Sequence, residues 1–257
     1  MAETALPGTG ARRPAGSRWL ACREPRPTAF ADLYCFAHAG GSAGEFVRWS
    51  DELPGVQVRG VKMPGRAPRE HEPPFVRMTD IVEALLEEVE FGPGPFAFFG
   101  HSLGGLVAHE LTRALRDTGR PQPRRLFVSS VQPPPVTARR PVHRLPAPEL
   151  VTELERRWGP LPSLVHEDEG LRDLVLGYFR ADMEIAETYG FVPGTPLDIP
   201  LTAFVGAEED GELSGWRALT TGEFAQHTVP GGHFHFRNPG ARQELLRLVH
   251  RAMTADR

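Results

Sequence analysis

Phe96-Ala97-Phe98-Phe99-Gly100-His101-Ser102-Leu103-Gly104-Gly105 is the stretch on which the reading of this chain turns. An apolar run ends at Phe99, and a helical pattern begins near Leu103, with Leu106, Val107, Leu111, Ala114 and Leu115 on one face. Between them lies Gly-x-Ser-x-Gly at positions 100–104. A sharp turn from strand into helix strains the serine backbone and crowds its neighbours, so glycines at 100 and 104 are what such a turn demands, and Gly105 adds room. Ser102 is therefore a candidate nucleophile, presented at the end of a strand. The competing reading, a chance glycine-rich helix entry, is outweighed by the strand before it and the helix after it.

Outward from this turn, short apolar runs recur at Leu33–Ala37, Leu126–Val128 and Leu201–Val205, each bounded by Gly, Pro, His or Ser. They read as buried parallel strands. Weaker strands fall at Val56–Met63 and Phe224–Val229, and helical faces at Ile81–Val89 and about 241–252. Strand alternating with helix predicts an α/β fold with a doubly wound, mostly parallel sheet. The segment from about Pro141 to Pro193 breaks the alternation with helix after helix, interrupted by Pro146, Pro148, Pro160 and Pro162. An insertion between strands of such a sheet lies over their carboxyl ends, where ligands bind, so it is expected to form a helical lid. Residues 1–27 carry breakers and little periodicity and read as a flexible tail ahead of one domain spanning 28–257.

Composition narrows the function. At 257 residues, with 40% apolar and 24% charged residues, the chain suits a single globular domain. No apolar stretch is long enough to span a membrane, and the first residues lack the apolar core of a secretory signal, so a cytoplasmic location is expected. A net charge of −4 argues against a nucleic-acid surface. The arginine pairs 12–13, 124–125 and 139–140 read as solvated faces, and Lys62 is the only lysine. Two cysteines, Cys22 and Cys35, build neither a disulfide framework nor a zinc site, and no metal or cofactor is expected.

A serine hydroxyl is a poor nucleophile at neutral pH and needs a histidine base oriented by a carboxylate. Gly231-Gly232-His233 follows the late strand and precedes the last helix. The glycine pair lets the backbone turn the His233 ring toward the serine, whereas the rival His235 sits between Phe234 and Phe236 and suits packing. The acid is expected after the strand 201–205, in Gly206-Ala207-Glu208-Glu209-Asp210. Asp210 is preferred for its short side chain, with Glu209 as the alternative. Acyl transfer also requires N–H donors for a tetrahedral oxyanion. Leu103, next after the nucleophile, supplies one. Ala39, in Phe36-Ala37-His38-Ala39-Gly40-Gly41-Ser42 after the first strong strand, supplies the second, with His38 bracing that turn.

These motifs together resemble the type II, or external, thioesterases of polyketide and nonribosomal peptide pathways. The likeness covers nearly everything after the tail. Phe36–Ala43 resembles their F-P-H-A-G-G-S-A segment, Pro64-Gly65-Arg66 and Glu72-Pro73-Pro74 their P-G-R and E-P-P stretches, and 100–105 their G-H-S-[LM]-G-[GA] elbow. Arg180-Ala181-Asp182 and Tyr189 resemble positions in their lid helices, and Pro230–Phe234 matches P-G-G-H-F. One departure bears on the acid: the family's G-x-x-D-P, counted from Gly206, falls on Glu209, and its proline is missing.

The resemblance implies an α/β-hydrolase fold and a serine thioesterase working through an acyl-enzyme. Its substrate would be an acyl group on the phosphopantetheine arm of an acyl or peptidyl carrier protein, removed when aberrant or stalled. No nucleic-acid or membrane partner is expected, and the sequence leaves the oligomeric state open, with a monomer favoured. The rivals are a small-molecule carboxylesterase or lipase, and a noncatalytic binding protein of the same fold.

Overall fold

The computed structural model describes residues 17–135 and 141–255, so the arginine pairs at 12–13 and 139–140 lie outside the described residues. Seven strands form one sheet in the order β1-β3-β2-β4-β5-β6-β7. They are β1 (Leu20–Ala21), β2 (Ala31–Phe36), β3 (Val56–Val61), β4 (Phe96–His101), β5 (Arg125–Ser129), β6 (Leu201–Gly206) and β7 (Phe224–Val229). Only β1 runs antiparallel, against β3; the other neighbours pair in parallel. The helices are α1 (Gly44–Val47), α2 (Met78–Glu88), α3 (Leu103–Asp117), α4 (Ala147–Trp158), α5 (Ser163–Glu167), α6 (Glu169–Thr188) and α7 (Pro239–Ala255).

Side chains alternate across the central strands because successive residues of a strand face opposite sides. Tyr34, Phe36 and Phe98 pack with Ile81 and Leu85 of α2 and with Leu106 and Leu111 of α3. Leu33, Cys35 and Phe99 pack on the other face with Phe46 of α1 and with Leu245 and Val249 of α7. Both faces are thus covered, which is why these strands read as continuous apolar runs. Among the described residues no helix is long and apolar enough to cross a membrane.

The chain steps from β2 outward to β3, then crosses back to lay β4 on the other side of β2. Beyond the carboxyl ends of β2 and β4 the connections diverge, leaving the crevice in which open α/β sheets bind ligands. The pairing of Phe36 with Gly100 aligns those two strand ends. The loop after β2 and the turn carrying Ser102 therefore emerge side by side.

One boundary expectation changes. The stretch 17–27, read as tail, holds Trp19 at 2% exposure and the two residues of β1 paired to Val61 and Gly60. The Trp19 indole stacks on Phe75, donates to Glu88 and receives the Arg69 guanidinium on its face. A single aromatic anchor among breakers leaves no periodicity to read, so tertiary contacts alone reveal this strand. Residues 1–16 lie outside the described residues.

Between β5 and β6 the chain forms α4, α5 and α6, with their own small core of Val142, Leu150, Leu154, Leu176, Phe179 and Met183. α4 begins with Pro146 at its cap and Pro148 in its first turn, where a missing N–H costs no helical bond. α6 is capped by Asp168, whose carboxylate accepts the Leu171 N–H at 2.9 Å.

Candidate active site

Ser102 has φ 54° and ψ −123°, one of two non-glycine residues with positive φ among those described. The turn is closed by Ser102 N–H to Ser129 O at 2.8 Å and Gly105 N–H to Ser102 O at 2.8 Å. Its glycines are required by contact. A Cβ on Gly100 would stand 2.2 Å from the Gly104 carbonyl oxygen, and one on Gly104 would stand 2.2 Å from that of Phe36. The second clash shows how tightly the start of α3 is pressed on the end of β2. The N–H groups of Ala39 and Leu103, expected as oxyanion donors, flank this contact, and neither has a hydrogen-bond partner among the described residues.

His233 follows β7 in a loop bonded backbone to backbone with the loop after β6. Ala207 N–H donates to Val229 O at 2.8 Å and Glu208 N–H to Gly231 O at 3.0 Å. Gly206 permits this approach, since a Cβ there would lie 2.5 Å from the carbonyl oxygens of Gly231 and Gly232. The result aims one carboxylate at the imidazole: Glu209 Oε1 is 2.8 Å from His233 Nδ1. Its other oxygen accepts the Ser130 hydroxyl at 2.5 Å and the Gly206 N–H at 2.9 Å. Burial pushes the Glu209 carboxyl upward, but the hydrogen bonds from His233, Ser130 and Gly206 outweigh it and hold the group down at about 2.

Asp210, preferred from residue type, is not the acid that reaches the histidine. It is exposed and makes no hydrogen bond or ion pair among the described residues. The tight turn closed by Glu209 N–H to Gly206 O at 3.0 Å brings position 209 back over the strand end, and the longer glutamate side chain spans the remaining distance. The register count from Gly206 carried this information; the residue-type argument did not.

The rings of His233 and His101, the residue just before Ser102 in the chain, lie 5.1 Å apart, and Trp158 at the end of α4 lies 6.3 Å from His233. No hydrogen bond joins the Ser102 hydroxyl to His233 among the described residues. Such catalytic bonds are commonly long before substrate binds. His38 braces the loop after β2 as expected, with Nδ1 2.9 Å from Ala39 O and Nε2 3.1 Å from Glu45, a carboxylate that Arg237 also holds.

A second cluster went unread in the sequence. Ser129 Oγ lies 3.0 Å from His101 Nδ1 and 3.0 Å from His235 Nε2, all three residues being at most 2% exposed. With one proton, the hydroxyl donates to one ring and accepts from the other. Burial pushes both histidines down, His101 well below the usual range and His235 to about 4, so both are neutral near pH 7. Among the described residues no group of three or more His, Cys, Asp or Glu is arranged to hold a metal ion.

The family model that matches the chain is the thioesterase domain, over residues 31–253. Gramicidin S biosynthesis protein GrsT of Aneurinibacillus migulanus is 33% identical over 85% of this chain and 88% of its own length. Thioesterase PikA5 of Streptomyces venezuelae is 36% identical over 84% of this chain and 79% of its own. The solved structure of the type II thioesterase BorB from the borrelidin biosynthetic cluster is 31% identical, superposes with a TM-score of 0.77, and spans 90% of this chain and 96% of that one. This chain thus belongs to the thioesterase family, serine hydrolases of the α/β-hydrolase fold, and groups with the type II editing thioesterases of polyketide and nonribosomal peptide biosynthesis.

Proposed function

We propose that the chain hydrolyses acyl groups from the phosphopantetheine arm of an acyl or peptidyl carrier protein, with Ser102 as nucleophile, His233 as base and Glu209 as the orienting acid. The observation that carries this reading is the strained Ser102 turn, set beside unpaired N–H groups at Ala39 and Leu103. Strain stored at a serine on a strand-to-helix turn presents its hydroxyl outward rather than to its own helix.

In the acylation step His233 Nε2 takes the Ser102 proton as the oxygen attacks the thioester carbon. The oxyanion that forms is met by the N–H groups of Ala39 and Leu103, donors already fixed by the surrounding fold. Collapse of the tetrahedral species expels the thiol, protonated by His233. Water, deprotonated by the same ring, then attacks the acyl-enzyme and releases the free acid. Glu209 remains ionised throughout this cycle, since its carboxyl sits near 2. It keeps the proton on Nδ1, leaves Nε2 free as the base, and stabilises the imidazolium. The helices between β5 and β6 border this site at Trp158 and act as a lid over the entering arm.

The test is intact-mass analysis of acylated carrier proteins incubated with wild type and with Ser102→Ala. Loss of acyl mass with wild type alone supports the proposal. Equal loss with both removes Ser102 from the mechanism, and hydrolysis of simple esters but not of acyl carrier proteins redirects the reading to a carboxylesterase.

A further inference from the structure

The Ala39 N–H belongs to the peptide joining residues 38 and 39, so its direction depends on what holds that peptide plane and its neighbours. The His38 carbonyl, on the same plane, accepts the Gly41 N–H at 2.9 Å. In the next plane the Ala39 carbonyl faces His38 Nδ1 at 2.9 Å, and the Gly40 N–H donates to Asp182 Oδ2 at 2.8 Å. The Gly41 carbonyl accepts from Arg66 at 3.0 Å. Arg66 also grips Asp182 with two parallel bonds, 2.7 Å to Oδ2 and 2.6 Å to Oδ1. Two of the four constraints on this loop thus come from one ion pair, and Asp182 stands on α6, within the lid.

Both partners are withdrawn from water: Arg66 is 6% and Asp182 2% exposed. Tyr178, one turn earlier on α6, covers the guanidinium at 4.7 Å, and Phe179 fills the space beside Gly40, where a Cβ would come within 2.9 Å of its ring. A buried pair of this kind is a poor source of net stability, because desolvation cancels most of the attraction, while its geometry is rigid and bidentate. Its consequence lies in what it aligns.

We propose that the Asp182–Arg66 pair positions the Ala39 N–H, so that the oxyanion site is formed only while lid helix α6 is seated against the loop 38–41. The inference rests on the reading of Ala39 as an oxyanion donor. A lid that lifts to admit a bulky arm takes Asp182 away from Gly40, releases Arg66 from Gly41, and disarms the site until it closes. Acyl transfer is thereby confined to the closed state, and both residues act through the loop without touching substrate.

The experiment compares wild type with Arg66→Met/Asp182→Leu, an apolar replacement that buried ion pairs commonly tolerate without loss of stability. The probes are an acyl-N-acetylcysteamine thioester and a trifluoromethyl ketone analogue of it, which adds Ser102 to give a tetrahedral oxyanion. Expected are a fall of about 10- to 100-fold in kcat and in ketone affinity and a KM within about 3-fold, read at a temperature where the variant is folded. Asp182→Asn, which keeps the side chain's shape, gives a second reading should the double variant not fold. Either variant, folded and with wild-type kcat and ketone affinity, overturns the proposal. Hydrogen exchange in the wild type supplies a reading without mutation: residues 38–41 and α6 gain protection together when the ketone binds, and protection of the loop alone overturns the coupling. A wild type inert to acyl carrier protein and ketone alike defeats the thioesterase reading itself, whereas an active wild type with indifferent variants defeats only the latch.

Discussion

Two serine–histidine arrangements stand side by side at the carboxyl end of the sheet, and they differ in almost everything that chemistry requires. Ser129 lies on a regular strand, fully buried, with its hydroxyl engaged by His101 and His235. Among the described residues neither ring is hydrogen-bonded to a carboxylate, and His235 Nδ1 has no hydrogen-bond partner. Ser102 sits on a strained turn, half-buried, beside two backbone donors unpaired among the described residues, and His233, whose ring lies 5.1 Å from that of His101, is bonded to an ionised glutamate. A short serine–histidine distance is thus the weaker indicator. Access, backbone strain and a charge to stabilise an imidazolium are what a reactive cluster requires, and on the proposed reading the Ser102 arrangement supplies them, while the Ser129 cluster pins β4 and β5 to the histidine loop.

The sharpest way to break this contrast is to remove the charge that only one cluster possesses. Glu209→Gln keeps the side chain's shape but leaves His233 without a negative partner and free to adopt the wrong tautomer. The expected loss in kcat is about a thousand- to ten-thousand-fold, read by steady-state hydrolysis of an acyl thioester. A loss below tenfold means that the carboxylate is not what distinguishes the two sites.

Acid titration separates the clusters without mutation. A neutral buried histidine whose folded value is depressed leaves the unfolded chain holding more protons, so stability is complete above about 6.5 and falls as pH drops toward the folded value. For His235 that window runs from about 6.5 to about 4, and a shift of this size is worth about 3 kcal/mol. Glu209, held at about 2, contributes stability above about 4.5 that is lost on further acidification toward 2. Urea unfolding followed from pH 7 to pH 3 is expected to show a decline beginning near 6.5. A flat profile down to pH 5 contradicts the neutral, buried state of the Ser129 cluster.

Ser129→Ala has a smaller effect on stability and the opposite signature to Glu209→Gln. It strips both rings of a partner and leaves two more buried nitrogens unsatisfied, at a cost of about 1–3 kcal/mol in urea unfolding. Turnover is expected to stay within about tenfold of wild type at a temperature where the variant is folded. Loss of turnover with unchanged stability would move Ser129 into the reaction.

What the sequence made legible follows the range of the interactions. The turns that carry Ser102, His233 and the segment after β2 were readable because they are built from adjacent glycines whose need is local. The cluster of His101, Ser129 and His235 was not, because its members become neighbours only through strand pairing and the return of the histidine loop. Asp182 and Arg66 stand out in the sequence only as positions resembling the family's motifs, and their pairing stays hidden because residues 116 apart in sequence meet only once the fold buries them together. Trp19 escaped for the same reason, its contacts on Phe75 and Glu88 being wholly tertiary.

The acid is the intermediate case, and it yields the smallest expected effect. Asp210 and Glu209 are consecutive, both carboxylates, and differ by one methylene, so residue type alone favours the one that the turn leaves outside. Asp210→Asn removes a charge that is exposed and free of hydrogen bonds or ion pairs among the described residues. Its kcat is expected within about twofold of wild type and its stability within about 0.5 kcal/mol. The pair Asp210→Asn and Glu209→Gln therefore measures geometry at nearly constant chemistry: each exchanges a carboxylate for its amide, one position apart. Equal losses would show that the loop rearranges to offer either acid. A loss confined to Glu209→Gln assigns the role to the turn closed on Gly206, which chooses the acid by where it directs the chain.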